Sequence, residues 1–68
     1  MLANLIDHDG QVVEIDSEGV MLVADDKYSV IVVFHNGTAL AFPKTDINFQ
    51  AGMELKRFIT SQKQPKIA

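Results

Sequence analysis

The run Tyr28-Ser29-Val30-Ile31-Val32-Val33-Phe34 decides the fold of this 68-residue chain. Side chains of an extended strand alternate between two faces, so Ile31 and Val33 share one face and the even-numbered residues share the other. Both faces are therefore apolar, whereas a strand with one solvated face alternates apolar with polar residues. Such a strand needs a cover on each side, and a short chain has little material for both. We expect either a sheet that closes into a barrel or a second copy that covers the outer face.

Composition indicates one small folded domain with a marginal core. Hydrophobic residues make up 47% of the chain, too many for a disordered segment. A chain of roughly 60 residues buries only about 60% of its unfolded surface, and such domains usually depend on disulfides, a metal or a partner. The absence of cysteine excludes disulfides and thiolate zinc sites, and two histidines alone do not build a structural metal site. By elimination, barrel closure or oligomerisation is the expected source of additional stability. We expect no cofactor and no metal.

Membrane and export signals are absent from the sequence. No stretch approaches the ~20 apolar residues of a membrane span. No basic segment followed by an apolar run opens the chain, so no signal peptide is visible. We therefore expect a cytoplasmic protein that does not interact with a membrane.

The charged residues are divided unevenly along the chain. Residues 1–26 carry seven acidic side chains and no Lys or Arg, whereas residues 27–68 carry six basic side chains and two acidic ones. The net charge of −3 therefore conceals an acidic half and a basic half. Acidic residues that simply occupy turns explain this pattern; the alternative is a dipolar molecule suited to head-to-tail contacts or to an anionic partner.

Turn signals recur at short intervals, as in all-β domains. Residues 7–10, 17–19 and 25–27 contain the Asp, Ser and Gly typical of turns and separate short apolar segments. Asn36-Gly37 is the strongest signal, because both residues tolerate the positive φ of a type I′ hairpin turn. The pattern predicts an all-β fold over residues 1–60, a small five- or six-stranded antiparallel barrel of SH3-like or OB-like type.

The C-terminal third allows two interpretations. Residues 53–60 fit an amphipathic helix, but we favour a strand that follows a turn at Ala51-Gly52 and closes the barrel. Residues 45–50 are compatible with one short helical turn, and residues 61–68 with a flexible polar tail. The alternation of the strands assigns ten residues to the core: Val13, Ile15, Val20, Leu22, Val30, Val32, Phe34, Leu40, Phe42 and Leu55.

We expect a non-enzymatic binding or assembly module, acting as a homo-oligomer or as an adaptor for another protein. No nucleophile has a base at recognisable spacing, and the four glycines are spaced as turns rather than as a phosphate-binding loop. We therefore infer neither catalysis nor a small-molecule substrate. Ile31 and Val33 would form a second buried face with their apolar neighbours. The predicted interface residues are Ile31, Val33, Met21, Val23 and Val12.

The alternative function is the binding of single-stranded RNA or DNA by the basic C-terminal half. Small barrels bind single strands with a cationic groove and aromatic stacking platforms. The cations available for this role are Lys44, Lys56, Arg57 and Lys63. However, the aromatic positions fit the core periodicity, and the acidic half would repel phosphates, so this function is not favoured.

Asp7-His8-Asp9-Gly10 resembles part of a metal site. Carboxylates two residues apart can share a hard cation, and a histidine between them can ligate a transition metal. A calcium loop needs further oxygen ligands and a distal glutamate at fixed spacing, which this segment lacks. Asp and Gly also suit a tight turn, so we predict a turn and not a metal site.

Several segments resemble parts of known small β domains. Residues 10–15, 20–23 and 52–55 are similar in spacing to OB-like barrels such as hydrogenase maturation chaperones and S1-type translation-initiation domains. Residues 30–37 resemble the strand and turn of an Sm-type motif. Residues 42–44, taken with 52–55, resemble the end of swapped-hairpin antitoxin and transition-regulator domains. We assign the chain to no family.

Overall fold

Five strands, one short 3-10 helix and one α-helix follow one another along residues 1–63. The structure, a computed structural model, describes residues 1–63; the side chain of Lys63 and residues 64–68 lie outside the described part. The elements are β1 (Leu2–Ile6), β2 (Val12–Asp16), a short 3-10 helix (Ser17–Gly19), β3 (Val20–Asp25), β4 (Ser29–Phe34), β5 (Ala39–Pro43) and α1 (Asp46–Lys63).

The strands form two antiparallel sheets rather than one barrel. β1 pairs with β2 in a two-stranded sheet, and β3, β4 and β5 form a three-stranded sheet in that order. The prediction of short antiparallel strands is confirmed. No closed barrel is found, because no ladder joins the two sheets within residues 1–63, neither between β1 and β5 nor between β2 and β3. β4, the strand with two apolar faces, is the central strand of the larger sheet.

Residues 53–60 belong to the helix α1, so the strand predicted there is wrong. The Thr45 hydroxyl accepts a hydrogen bond from the Asn48 N–H at 3.2 Å and caps the first turn. Four positions of α1 are buried at spacings of three or four residues, which is typical of one helix face. Two of these four residues are not hydrophobic, so a search for apolar periodicity does not detect this buried helix face. The buried positions are Asn48, Gly52, Leu55 and Ile59.

Two further predictions concern the ends of α1. The helical turn predicted at residues 45–50 is confirmed as the beginning of this longer helix. Residues 61–63, at the start of the predicted polar tail, continue the helix, and the rest of that tail lies outside the described residues. In the described part of the chain, no helix is both long and apolar enough to cross a membrane.

A β-bulge in β3 changes which of its residues reach the core. The register between β3 and β4 shifts between Val20 and Leu22. Met21 is the extra residue, and it breaks the two-residue alternation. Val20 and Val23 therefore face the core, whereas Leu22 turns outward and is 42% exposed. The assignment of Leu22 to the core is wrong for this reason.

β4 and β5 form the hairpin predicted at Asn36-Gly37, but with a longer turn. The Gly37 N–H donates to the Phe34 carbonyl at 3.0 Å, and the Phe34 N–H donates to the Thr38 carbonyl at 2.8 Å. Gly37 has a φ of +90°, whereas Asn36 keeps a negative φ. This geometry is a three-residue loop with glycine in the left-handed region, not the predicted two-residue type I′ turn.

The core lies between the three-stranded sheet, α1 and the β1–β2 hairpin. Eight of the ten predicted core residues are in it or packed against it, including the partly buried Val13 and Phe34. Besides Leu22, the exception is Leu40, which faces inward beside Phe42 but is 37% exposed because β5 is an edge strand. The buried cluster consists of Ala3, Leu5, Ile15, Val20, Val23, Val30, Val32, Phe42, Leu55 and Ile59.

One buried amide side chain joins the helix to both sheets. Asn48 Oδ1 accepts a hydrogen bond from the Ile6 N–H, and Nδ2 donates to the carbonyl oxygens of Ile6 and Pro43, each at 2.8 Å. Asn48 is fully buried, so these bonds replace water that the amide has lost. The side chain bonds the ends of β1 and β5 as a neighbouring strand would. It therefore holds the two sheets together where no ladder does.

Gly52 allows α1 to lie close to the sheet. A Cβ atom at this position would be 2.8 Å from Val30 Cγ1, closer than side-chain atoms approach. Val30 is fully buried and has little room to move aside. The glycine that suggested a turn is instead a contact point between helix and sheet.

The first testable prediction concerns Asn48→Ala. The substitution removes three hydrogen bonds and leaves backbone groups of Ile6 and Pro43 without these partners. Because each shielded polar group left unpaired costs about 1–3 kcal/mol, we expect the free energy of unfolding to fall by about 3 kcal/mol in urea denaturation. Gln50→Ala, at an exposed position of the same helix, is the control and should change it by less than about 0.5 kcal/mol. Equal small effects would contradict the joining role of Asn48.

The second prediction concerns Gly52→Ala. Helix propensity favours alanine by about 1 kcal/mol, but overpacking against Val30 costs about 1–3 kcal/mol. We therefore expect a net destabilisation of about 1 kcal/mol. Adding Val30→Ala removes the obstructing methyl group, so the double variant should be less destabilised than the sum of the two changes by about 1 kcal/mol. Stabilisation by Gly52→Ala alone would show that the helix does not lie this close.

Candidate assembly surface

The outward side of the three-stranded sheet carries apolar side chains in two rows. Each row crosses all three strands, because strand pairing sets its members side by side. We call these six residues the open face: Leu22, Val33 and Ala39 in the first row, and Ala24, Ile31 and Ala41 in the second. None of them is charged or polar. The two faces of β4 are thus apolar in the structure, as its sequence indicates.

α1 and the β1–β2 hairpin contribute to the core on the inner side of this sheet only. On the open face Leu22 is 42% exposed, and Ala39 and Ala41 are also exposed. Ile31 and Val33, in the central strand, are partly shielded. Large contiguous apolar surfaces are typical of contact sites, whereas singly exposed apolar residues are ordinary, so the open face is the candidate surface.

The structure places two of the five predicted interface residues on the open face. Ile31 and Val33 lie at its centre. Val23 is only 5% exposed and belongs to the core, so it does not contribute to an outer interface. Met21 lies at the bulge, and Val12 is 67% exposed but belongs to β2 in the other sheet. The sequence pattern therefore locates the centre of this surface but not its borders.

Four members of the open face are not identified by strand alternation alone. Leu22 and Ala24 reach it because the bulge reverses the faces of β3, and no local pattern signals a bulge. Ala39 and Ala41 reach it because the hairpin register sets them opposite the outward residues of β4. The turn at Gly37 is the sequence signal for the two alanines, because counting residue pairs back from it places Ala39 opposite Val33 and Ala41 opposite Ile31.

A shallow groove adjoins the open face at the β3 edge. It has a volume of about 120 Å³ and lies between the bulge and the C-terminal half of α1. Leu22 belongs both to the groove and to the open face, so the two surfaces are continuous. The lining residues are Met21, Leu22, Val23, Lys56, Ile59 and Thr60.

Two of the basic residues predicted to contact nucleic acid, Lys44 and Lys56, interact with an acidic side chain. Lys44 Nζ lies 2.7 Å from Asp25 Oδ2 in an ion pair. The positive charge of Lys56 also acts on this carboxylate, and Arg57 is exposed on α1. The side chain of Lys63 lies outside the described part. The described cations therefore do not form a purely positive patch.

The ion pair of Asp25 and Lys44 joins the end of β3 to the residue after β5. The hydrogen bond from Lys44, together with its charge, lowers the pKa of the Asp25 carboxyl below its ordinary value of 3.8. Desolvation opposes this shift, and the charge of Lys56 adds a smaller lowering effect. Lys44 Nζ also lies 5.3 Å from the centroid of the Phe49 ring. Lys44 is thus already engaged within the subunit.

Aromatic side chains contribute mainly to packing. Phe42 is 2% exposed and Phe34 packs against the core. Tyr28 is 73% exposed, and Lys27 Nζ lies 5.5 Å from its ring centroid. Binding of a single strand uses successive stacking platforms. One exposed ring beside a turn does not form such a series.

Residues 7–10 form the predicted turn. Asp7 Oδ1 accepts hydrogen bonds from the N–H groups of Asp9 and Gln11, each at 2.9 Å. Gly10 has a φ of +81°, which favours glycine at this position. Asp7 therefore organises the loop between β1 and β2. Within the described residues, no group of three or more His, Asp or Glu side chains is placed to hold a metal ion.

Comparisons of this chain with protein-family models, curated proteins and solved structures find no match. The open face is therefore the feature of the molecule that points to a function.

The third prediction concerns the Asp25–Lys44 ion pair and pH. Because the folded-state pKa of Asp25 lies below 3.8, the contribution of the pair to stability is present above that unfolded value and is lost as the pH falls through the folded-state pKa. Lys44→Met removes the pair and keeps the aliphatic stem. We expect the melting temperature of this variant to fall less steeply than that of the parent between about pH 5 and pH 2. Identical acid dependence in thermal unfolding would contradict a stabilising pair.

Proposed function

We propose that this protein is a non-enzymatic assembly module that forms a homo-oligomer by burying its open face against further copies of itself. The observation that carries the proposal is the second apolar face of β4, which no described element covers although the first is fully packed. Apolar surface removed from water stabilises a contact by roughly 25 cal/mol per Å². A domain with so small a core has most to gain from such burial.

Self-association suits the chemistry of the open face. Its six side chains are aliphatic, so two copies in contact bring no like charges together. Its side chains project from paired strands, whose backbone groups are already bonded within the sheet at β4. A sheet face of this kind packs against another sheet about 10 Å away, as in β-sandwiches. A face-to-face contact of two copies therefore needs no change in the subunit.

Binding of single-stranded nucleic acid is the alternative, and the structure gives it less support. Lys44 is paired with Asp25, and Tyr28 is the one aromatic residue among the exposed large hydrophobic residues of the described part. Salt distinguishes the two functions. Phosphate-driven binding weakens steeply as salt rises, whereas apolar assembly does not.

The fourth prediction tests the open face with Val33→Asp. Val33 points outward from the subunit, so the substitution should leave the fold intact, as judged by circular dichroism. In an assembled open face it buries an unpaired carboxylate, which costs several kcal/mol. We expect self-association to weaken by about 100-fold or more, measured by sedimentation at graded concentrations.

Val12→Asp is the matched control for this test. It makes the same chemical change at a side chain that is 67% exposed on β2, away from the open face. We expect it to assemble like the parent. If Val33→Asp stays folded and associates as strongly as Val12→Asp, the open face is not the contact. A parent that is monomeric and gains mass only with a different protein would instead indicate an adaptor.

A further inference from the structure

β5 is an edge strand whose outer backbone groups are unpaired. Its ladder with β4 includes hydrogen bonds at Thr38 and at Lys44, and hydrogen-bonded pairs alternate along an antiparallel ladder. The N–H and C=O groups of Ala39 and Ala41 therefore point away from β4. Within residues 1–63, no hydrogen bond satisfies them. This edge offers two donors and two acceptors.

The two edges of the three-stranded sheet are protected differently. β3 carries the bulge at Met21 and ends at the charged Asp25, and both features discourage pairing with another strand. In β5, residues 38–42 contain no charged side chain. Ala39 and Ala41 have small side chains, so another backbone can approach closely. Of the two edges, β5 is the one open to strand addition.

The exposure of Leu40 independently indicates that a further strand packs beside β5. It faces the inner side of the sheet, like Phe42, yet it is 37% exposed whereas Phe42 is 2% exposed. β1 comes near β5 at Pro43, where Asn48 bridges the two strands, and it does not pair with the rest of β5. A strand laid along residues 38–42 would cover Leu40.

We propose that β5 pairs antiparallel with β5 of a second copy, about a two-fold axis that passes beside Leu40. In this register Ala39 of each copy faces Ala41 of the other, and the two pairs exchange four N–H···O=C bonds. The two Leu40 side chains then lie opposite each other on the inner side, with Cα atoms about 4.5 Å apart. The segment is its own complement: small, uncharged and centred on one large apolar residue.

This pairing also brings the open face closer to the size of a standard interface, a step that rests on the proposed function. Three strands of five or six residues present about 250 Å² seen face-on, whereas a standard interface buries about 800 Å² per partner. The two-fold axis stands perpendicular to the sheet, so both copies keep their open faces on the same side. The six-stranded sheet doubles the apolar face, and two such sheets stacked together form a tetramer.

The test on the parent protein is amide hydrogen exchange at Ala39 and Ala41. In an isolated subunit both amides face solvent and exchange rapidly. In the paired edge they are protected like the ladder amides of β4, and we expect at least a 100-fold slowing, on the order of that given by other ladder bonds. Rapid exchange at both sites in concentrated protein would overturn the edge pairing.

Proline substitution tests the same contact by mass. Ala41→Pro removes an N–H that makes no bond within the subunit, so the sheet should stay intact, as at the neighbouring edge residue Pro43. We expect the parent mass, four times the 7.5 kDa of one chain, to fall at least by half. Ala41→Ser retains the N–H and is the matched control, expected to keep the parent mass. A folded proline variant of unchanged mass would overturn the proposal.

The two proposals fail in different ways. If only the edge pairing forms, the parent is a dimer with twice the mass of one chain, Ala39 and Ala41 are protected, and Val33→Asp does not change the mass. If only the open face assembles, the parent still loses mass with Val33→Asp, but Ala39 and Ala41 exchange rapidly. The second result overturns the edge pairing and leaves the proposed function standing.

Discussion

One constraint governs this structure: residues 1–63 contain too few elements to cover both apolar faces of the strand β4. β4 is apolar on both faces, and residues 1–63 supply one helix and one two-stranded hairpin to pack against it. Both are used on the inner face, where Val30 and Val32 are fully buried. Within residues 1–63, the outer face, centred on Ile31 and Val33, is shielded only by side chains of the adjacent strands β3 and β5. Burial of this second face by further copies is the physical basis of the proposed assembly.

Two residues of α1, Asn48 and Gly52, hold the helix against the inner face of the sheet. Asn48 gives the ends of β1 and β5 the hydrogen bonds that a barrel would provide through its ladder. Gly52 lets the helix approach Val30 more closely than a residue with a Cβ atom would. The helix and hairpin are therefore fixed on one side of the sheet. Beyond this bridge, most of β5 has no neighbouring strand within residues 1–63, so the three-stranded sheet keeps an open edge, the one proposed for strand addition.

Much of the β structure follows from the sequence, because alternation and turn residues act locally. The five strands, the loop at residues 7–10 and the hairpin before β5 are predictable in this way. The helix is not, since Asn48 and Gly52 occupy two of its four core positions and conceal the periodicity. The bulge at Met21 arises from pairing between strands, so local pattern does not reveal that Leu22 faces outward and Val23 inward. The open face was thus predictable at Ile31 and Val33 and not at the β3 border.

The most direct test of this account is the solution mass of the unmodified protein, measured by light scattering behind a sizing column at low and at moderate salt. Burial of the second face of β4 predicts a mass of at least twice the 7.5 kDa of one chain, and four times that mass if β5 also pairs between copies. This mass should persist when salt screens surface charges. A folded protein with the mass of a single chain at every concentration would contradict the account, because both faces of β4 would then be stable with only one of them covered.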